Sequence, residues 1–342
     1  MSHADYTVTR SFKSARIAAI CAGVAILILV AAPWWAGRAD MRLMGELFLY
    51  LSLATLWNLM AGYAGLVSVG QQAYVGFGGY MLFALTMFGG LHPLAAVAIA
   101  GVLGALISVP VAVLIFRLRG AYFAIGTWVI AEVFRLGFAQ ISVLGGGSGS
   151  SLPVAIVRSL ASGRAMREAL SYWLALGAAI LVVTAVYLFL RSRRGLALTA
   201  IRDNELAAAS LGIDIWRTKF IVYVATSALT AMIGALIFLQ KLRISPDAAF
   251  SVNDWTAFVI FIVVIGGIGT IEGPIIGTLV FFALRETLAD LGTIYLIVLG
   301  VVAIVVMLRA PKGIWGVLRS RYGLQLFPLG YRVQHRSQDK EA

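Results

Sequence analysis

Cysteine and histidine are nearly missing from this 342-residue chain, and their scarcity removes most catalytic chemistry. Cys21 is the one cysteine, so neither an intramolecular disulfide nor a thiolate metal cluster can form. The three histidines, His3, His92 and His335, fall in a tail, a loop and a tail. No buried Ser/His/Asp or Cys/His set can be assembled from them. The chain contains no Gly-x-x-x-x-Gly-Lys-Ser/Thr phosphate loop and no His-Glu-x-x-His metal motif. Gly267 and Gly269 begin a dinucleotide-like spacing, but its third glycine position is Glu272. Nothing here calls for a cofactor or metal bound to this chain. Charge is sparse as well: Asp, Glu, Lys and Arg make up 12% of residues, about half the share usual in soluble domains.

Apolar sequence fills the space. Hydrophobic residues reach 61% and the mean hydropathy is +0.94. Measured against the roughly 20 residues a bilayer requires, ten apolar segments stand out, near 17–36, 43–60, 65–88, 94–116, 121–140, 171–190, 219–240, 255–268, 274–290 and 293–308. The expected fold is all-α, a polytopic membrane protein of about ten helices. The eighth segment is short and ends in glycine, which suggests a broken helix. The first run is too long for a signal-peptide core and ends in Trp34-Trp35, residues typical of a membrane interface, so it reads as a retained helix.

The net charge of +12 could indicate nucleic acid, but its distribution points to topology. If the N-terminus is cytoplasmic and all ten segments cross, 18 of the 27 Lys/Arg lie on the cytoplasmic side and 7 outside. That is the positive-inside pattern, with both termini inside. The expected organisation is a cytoplasmic tail over 1–16, a transmembrane unit over 17–318 and a second cytoplasmic tail over 319–342.

Two glycine-rich stretches interrupt the apolar runs at cytoplasmic turns, Gly62 to Tyr80 and Gly266 to Gly277. Glycine permits close helix packing, and it also permits unwound backbone where protein or a water-filled cavity surrounds it. Ser68, Gln71 and Gln72 need polar partners, which either a pathway or helix–helix hydrogen bonds would supply. Within the spans, Glu132 and Arg135 share a helix face and Arg285 adjoins Glu286. Intramembrane charges mark candidate functional sites. The other readings are a buried structural pair for the first and snorkelling to the interface for the second. Outside, the 141–168 loop carries Gly145 to Ser151 and then Arg158, Arg164 and Arg167. It is either a contact surface over the pathway or a flexible connection.

The longest polar interruption, 191–218, is basic. Within it Asn204 to Leu211 reads as a short helix, with Asp203 as its N-cap, Glu205 in its first turn and Gly212 where it stops. So short a helix is marginal alone, which points to a docking partner.

Four blocks carry a family resemblance. They are Asn58 to Gly70 with Gly76 to Tyr80; Arg117 to Ala124 with Thr127 and Glu132; Gly195 to Ile213; and Gly266 to Thr270 with Gly273, Pro274 and Gly277, followed by Pro311-Lys312-Gly313. They resemble the permease subunits of ATP-binding cassette importers for branched-chain amino acids, of the LivM type. The third block is similar to the family's coupling loop, Glu-Ala-Ala-x-x-x-Gly. Ala207, Ala208 and Gly212 are in register, while Leu206 holds the Glu position and Glu205 stands one residue early.

The resemblance implies a transport subunit rather than an enzyme, in the bacterial inner membrane, whose ATP and Mg are bound by two separate ATPase subunits. It further implies a second homologous permease and a periplasmic binding protein that delivers substrate. The residues expected to couple to the ATPase are Asp203, Glu205, Leu206, Ala207, Ala208, Ala209, Gly212 and Ile213, with Leu206, Ala209 and Ile213 as the docking face. Ser68, Gln71, Gln72 and Glu132 are expected to line the pathway. Two alternatives stay open: a permease for an amide, urea or sugar, and an ion-coupled secondary transporter, which the few intramembrane carboxylates disfavour.

Overall fold

The structure is a computed structural model; it describes all residues except 1–5, 10–12, 162, 289–291, 293, 323–325, 328–331 and 336–342. Each of the ten apolar segments carries a helix: α1 (Lys13–Val30), α2 (Arg38–Asn58), α3 (Gln71–Met87), α4 (Pro93–Ile115), α5 (Ala121–Ala139), and onward through the short α6 (Val154–Leu160) to α7 (Arg164–Arg191). The basic stretch forms α8 (Arg193–Asp203) and α9 (Glu205–Ser210). Then come α10 (Ile215–Lys241), α11 (Pro246–Ala249), α12 (Phe258–Gly266), α13 (Glu272–Thr287), α14 (Ile294–Arg309) and α15 (Gly313–Tyr322). Among the described residues, seven helical stretches are long and apolar enough to cross a membrane; the shorter α1, α3 and α13 occupy the remaining three segments. α15 carries helix past the 318 boundary expected for the tail.

α3 and α13 are short because part of each span is spent on unwound chain. A π-helical turn, Leu59–Tyr63, ends α2, and the chain then runs without helix to Gly70. A second π turn, Asn253–Ala257, leads into α12, which breaks at Gly267 before α13 begins. The eighth segment is broken as its composition suggested.

α10 is the hub, packed on α3 and α4, while α2 lies on α7 and α12 on α13. Glycine sets the closest of these approaches. A Cβ at Gly78 would fall on the Ala231 carbonyl of α10, and one at Gly234 on the Val75 backbone of α3. Between the same helices, the Tyr74 and Tyr223 hydroxyls share a hydrogen bond of 2.8 Å. α12 and α13 meet in the same manner through Gly266, Gly273 and Gly277.

The connections gather at two ends. One end holds both glycine breaks, the α4–α5 turn, α8, α9 and the start of α15. The other holds the α6 region and the α10–α11 turn. There, β2 (Ser150–Ser151) pairs antiparallel with β3 (Arg243–Ile244). Gly145 and Gly149 adopt φ of 91° and 79°, and a Cβ at Gly149 would strike the Ile244 carbonyl. The 141–168 connection contains 3-10 turns, a strand and a helix, and Gly149 packs closely against β3. Near the termini, β1 (Tyr6–Thr9) pairs antiparallel with β4 (Arg332–His335).

The glycine contacts give a stability test. Gly78→Ala should lower the thermal midpoint of the detergent-solubilised protein, overpacking of this kind costing about 1–3 kcal/mol. Gly177→Ala, which meets nothing within 4 Å on α7, should leave it unchanged or raise it, since alanine is the better helix former. Equal midpoints for the two variants would contradict glycine-set packing.

Candidate coupling and translocation sites

α9 is a two-turn helix closed at both ends by its own sequence. Asn204, not Asp203, is its N-cap. Asn204 is extended (φ −160°, ψ 110°) and its Oδ1 accepts the Ala207 amide. Asp203 instead ends α8 and faces Arg202 at 3.5 Å. Both residue types cap well, and the one where the backbone leaves the helix takes the role. At the other end Gly212 has φ +80°. The Gly212 amide bonds to the Ala209 carbonyl and the Ile213 amide to the Ala208 carbonyl, the paired bonds of a Schellman stop. Glu205 forms an ion pair with Lys219 of α10.

The outward face differs from expectation. Leu206 is 84% exposed, and Leu211, which sequence reasoning passed over, is 78% exposed. Ala207 and Ala209 are exposed, but Ala208 is buried and Ile213 half-buried against the bundle. On a helix this short one alanine must face inward to seat it, and Ala208 does. α8 is seated similarly by Gly195, Leu198 and Ile201, buried at helical spacing.

Beside α9 lies an open cavity of about 670 Å³. It is bounded by Leu66 and Val67 of the first break, Leu118 and Arg119 of the α4–α5 turn, and Glu205, Trp216 and Lys219. The second cavity, about 360 Å³, sits at the opposite end among Arg42, Arg164, Arg167, Glu168 and Gln240. Glu168 there draws in Arg42 at 3.0 Å, Arg164 at 3.3 Å and Arg38 at 3.5 Å.

The two glycine breaks touch. Asn58 donates from Nδ2 to the Thr270 carbonyl at 2.7 Å and accepts the Gly269 amide on Oδ1 at 2.8 Å. A Cβ at Gly62 would lie 2.5 Å from the Gly269 nitrogen. The first break also rests on α5, where Thr127 Oγ1 accepts the Val69 amide at 3.0 Å. Trp57 donates to the Ser68 carbonyl at 2.8 Å.

Ser68, Gln71 and Gln72 are buried, and in this conformation they meet protein rather than open space. Gln71 donates to the Leu53 carbonyl at 3.1 Å, and Gln72 accepts from Thr256 in the second π turn. Gln71 Oε1 and Gln72 Nε2 have no hydrogen-bond partner among the described residues.

Glu132 behaves differently. Its pair with Arg135, at 2.6 Å, is on the surface of α5, with side chains 45% and 30% exposed; Arg135 also holds Asp247 at 2.8 Å. It is neither a buried structural pair nor lost in the core. Arg285 does not snorkel free: it makes a two-pronged ion pair with Glu46 of α2 at 2.9 and 3.0 Å. The signal was present, since Glu46 is the acidic residue of the second span. Among the described residues no group of three or more His, Cys, Asp or Glu could hold a metal ion.

Comparison with known proteins identifies the family. Residues 41–308 match the family described as branched-chain amino acid transport system, permease component. The high-affinity branched-chain amino acid transport system permease protein LivM of Escherichia coli (strain K12) is 28% identical over 325 residues, covering 88% of this chain and 76% of that protein. The protein of the same name from Salmonella typhimurium is 27% identical over 322 residues, 88% and 75% of the two chains. A probable branched-chain amino acid transport permease protein LivH from Methanocaldococcus jannaschii is 27% identical over 150 residues, 40% and 46% of the two chains. No solved structure gives a significant match. This chain belongs to the family of permease components of branched-chain amino acid transport systems, which are transport subunits and not enzymes.

Proposed function

We propose that this chain forms the translocation pathway for branched-chain amino acids in an ATP-binding cassette importer, and that it does so with a second, homologous permease. The observation that carries the ATP-driven reading is α9, a doubly capped helix too short to stand alone that presents Leu206 and Leu211 outward. An exposed pair of leucines on a rigid, two-turn element fits a groove on an ATPase subunit. Asp203, Glu205, Ala207, Ala209 and Gly212 shape that face, Ala208 and Ile213 anchor it from beneath, and ATP and Mg are held by the two ATPases.

The end bearing α9 is the cytoplasmic one in this reading. The antiparallel pairing of β1 with β4 supports both termini on one side, and the Lys/Arg distribution supports that side being cytoplasmic. The opposite end, with the folded 141–168 connection and its arginine-lined cavity, then faces the periplasm of a bacterial inner membrane, where a solute-binding protein would dock.

The pathway reading rests on a contrast between two exposed helices. In α14 the buried residue is Leu299 alone among those described, and no charge interrupts Ile294 to Leu308; it suits lipid. In α5 few residues are buried, yet Glu132 and Arg135 stand on its open face. A charge pair facing acyl chains is costly, so α5 faces the partner permease across a polar pathway. Ser68, Gln71 and Gln72 form the closed wall behind it, to be wetted when the first break separates from α2.

Two outcomes are expected. Leu206→Asp and Leu211→Asp should each weaken co-purification of the ATPase by on the order of tenfold or more, as for a central contact residue, and abolish ATP-dependent leucine uptake in proteoliposomes. Wild-type association in both variants would remove the docking assignment. In a Cys21→Ala background, Glu132→Cys should react with a polar thiol reagent at rest, whereas Gln72→Cys should react only during turnover. Gln72→Cys that stays unlabelled in every state would make that region packing alone.

A further inference from the structure

Arg202, in the loop between α7 and α10, comes close to both glycine breaks. It is the penultimate residue of α8, two before the Asn204 cap of α9. Its guanidinium carbon lies 5.7 Å from the centre of the Tyr63 ring, the last residue of the first π turn. Its Nη1 lies 3.4 Å from where a methyl group on Gly269 would be. Tyr63 is 2% exposed, and its hydroxyl has no hydrogen-bond partner among the described residues. What the arginine meets is therefore the ring face.

These contacts close a chain of rigid links. α9 joins α8 through Asn204, and α8 is fixed in the bundle by Leu198 and Ile201. Arg202 lies over the Tyr63 ring on one break and next to the open side of Gly269 on the other, where a side chain would meet it. Asn58 ties the two breaks together by hydrogen bonds of 2.7 and 2.8 Å. Gly62 and Gly269 leave no room for a side chain between them. A push on α9 would reach both broken helices through one guanidinium, at the end of a π turn on one side, a geometry frequent at functional sites, and at the glycine break on the other.

We propose that Arg202 is the positioning residue that transmits movement of α9 to the paired breaks, by stacking on Tyr63 and bracing Gly269. This rests on the reading of α9 as the ATPase-docking helix. Arginine suits the task because its planar cation stacks on an aromatic face and supplies donors in a fixed fork. Lysine would keep the charge and lose the plane.

The test uses the complete transporter, with both permeases and both ATPases, reconstituted with its binding protein in proteoliposomes. The reading is leucine imported per ATP hydrolysed. Arg202→Ala, Arg202→Lys and Tyr63→Leu should each lower that ratio at least tenfold, while ATPase co-purification and basal hydrolysis stay within twofold of wild type. Tyr63→Phe, which keeps the ring, should retain the wild-type ratio, and Arg202→Ala combined with Tyr63→Leu should be no worse than either alone. The Tyr63 pair carries the test independently of any effect on folding of the loop. A wild-type ratio in Arg202→Ala or Tyr63→Leu, or additive losses in the double variant, overturns the proposal. If Leu206→Asp still binds ATPase, the docking reading falls and this inference falls with it. If Leu206→Asp loses the ATPase but Arg202→Ala remains fully coupled, this inference falls alone.

Discussion

The rest of the structure depends on how unwound backbone is satisfied inside an apolar bundle. Two helices of this chain break where hydrocarbon would leave amides and carbonyls unpaired, and each unpaired group there costs several kcal/mol on the order of a lost hydrogen bond or more. The solution is mutual. Asn58, at the end of α2, supplies a donor to Thr270 and an acceptor to Gly269, so one break caps the other. Gln72, at the start of α3, accepts from Thr256 in the second π turn. The two irregular regions are joined at two points, and neither would be stable in its present form without the other. That makes them a single mechanical unit, although they lie some two hundred residues apart in sequence.

The second organising constraint is what each helix face meets outside the chain. Burial alone ranks α5 and α14 together as peripheral helices, and polarity separates them. α14 has no charged side chain from Ile294 to Leu308. α5 carries Glu132 and Arg135 on its open side and extends that charge to Asp247 in the first turn of α11. A lone subunit embedded in lipid would have to cover this cluster. Such a cluster suits a subunit of a larger assembly, as the components of transport systems in this family are.

The helical segments and their breaks were legible because hydropathy and glycine act locally. Ten apolar runs gave ten helices, and Gly212 stopped α9 because only a residue at ease with positive φ can close a Schellman turn. Information was lost wherever two adjacent residues were equally fit for one role, or where the partner was distant. Asp203 and Asn204 both cap well, and only the backbone path selects Asn204. Ala207, Ala208 and Ala209 are indistinguishable as letters, yet Ala208 alone faces inward. Arg285 looked like an interfacial cation until its partner Glu46, on another helix, came into view. The Asn58 bridge had no sequence signal: a single asparagine next to an apolar run has no periodicity and no motif to mark its target.

Gln71 and Gln72 show why such an arrangement can move. Each uses one end of its amide and leaves the other buried without a partner, Oε1 of Gln71 and Nε2 of Gln72. A buried polar group without a partner costs about 1–3 kcal/mol, and an opened break would offer these two atoms new partners. Opening the break would in turn forfeit the Gln71–Leu53 and Gln72–Thr256 hydrogen bonds and the packing of the Gly78–Ala231 contact nearby. The two costs oppose each other, and differential binding elsewhere is what shifts a balance between two such conformations.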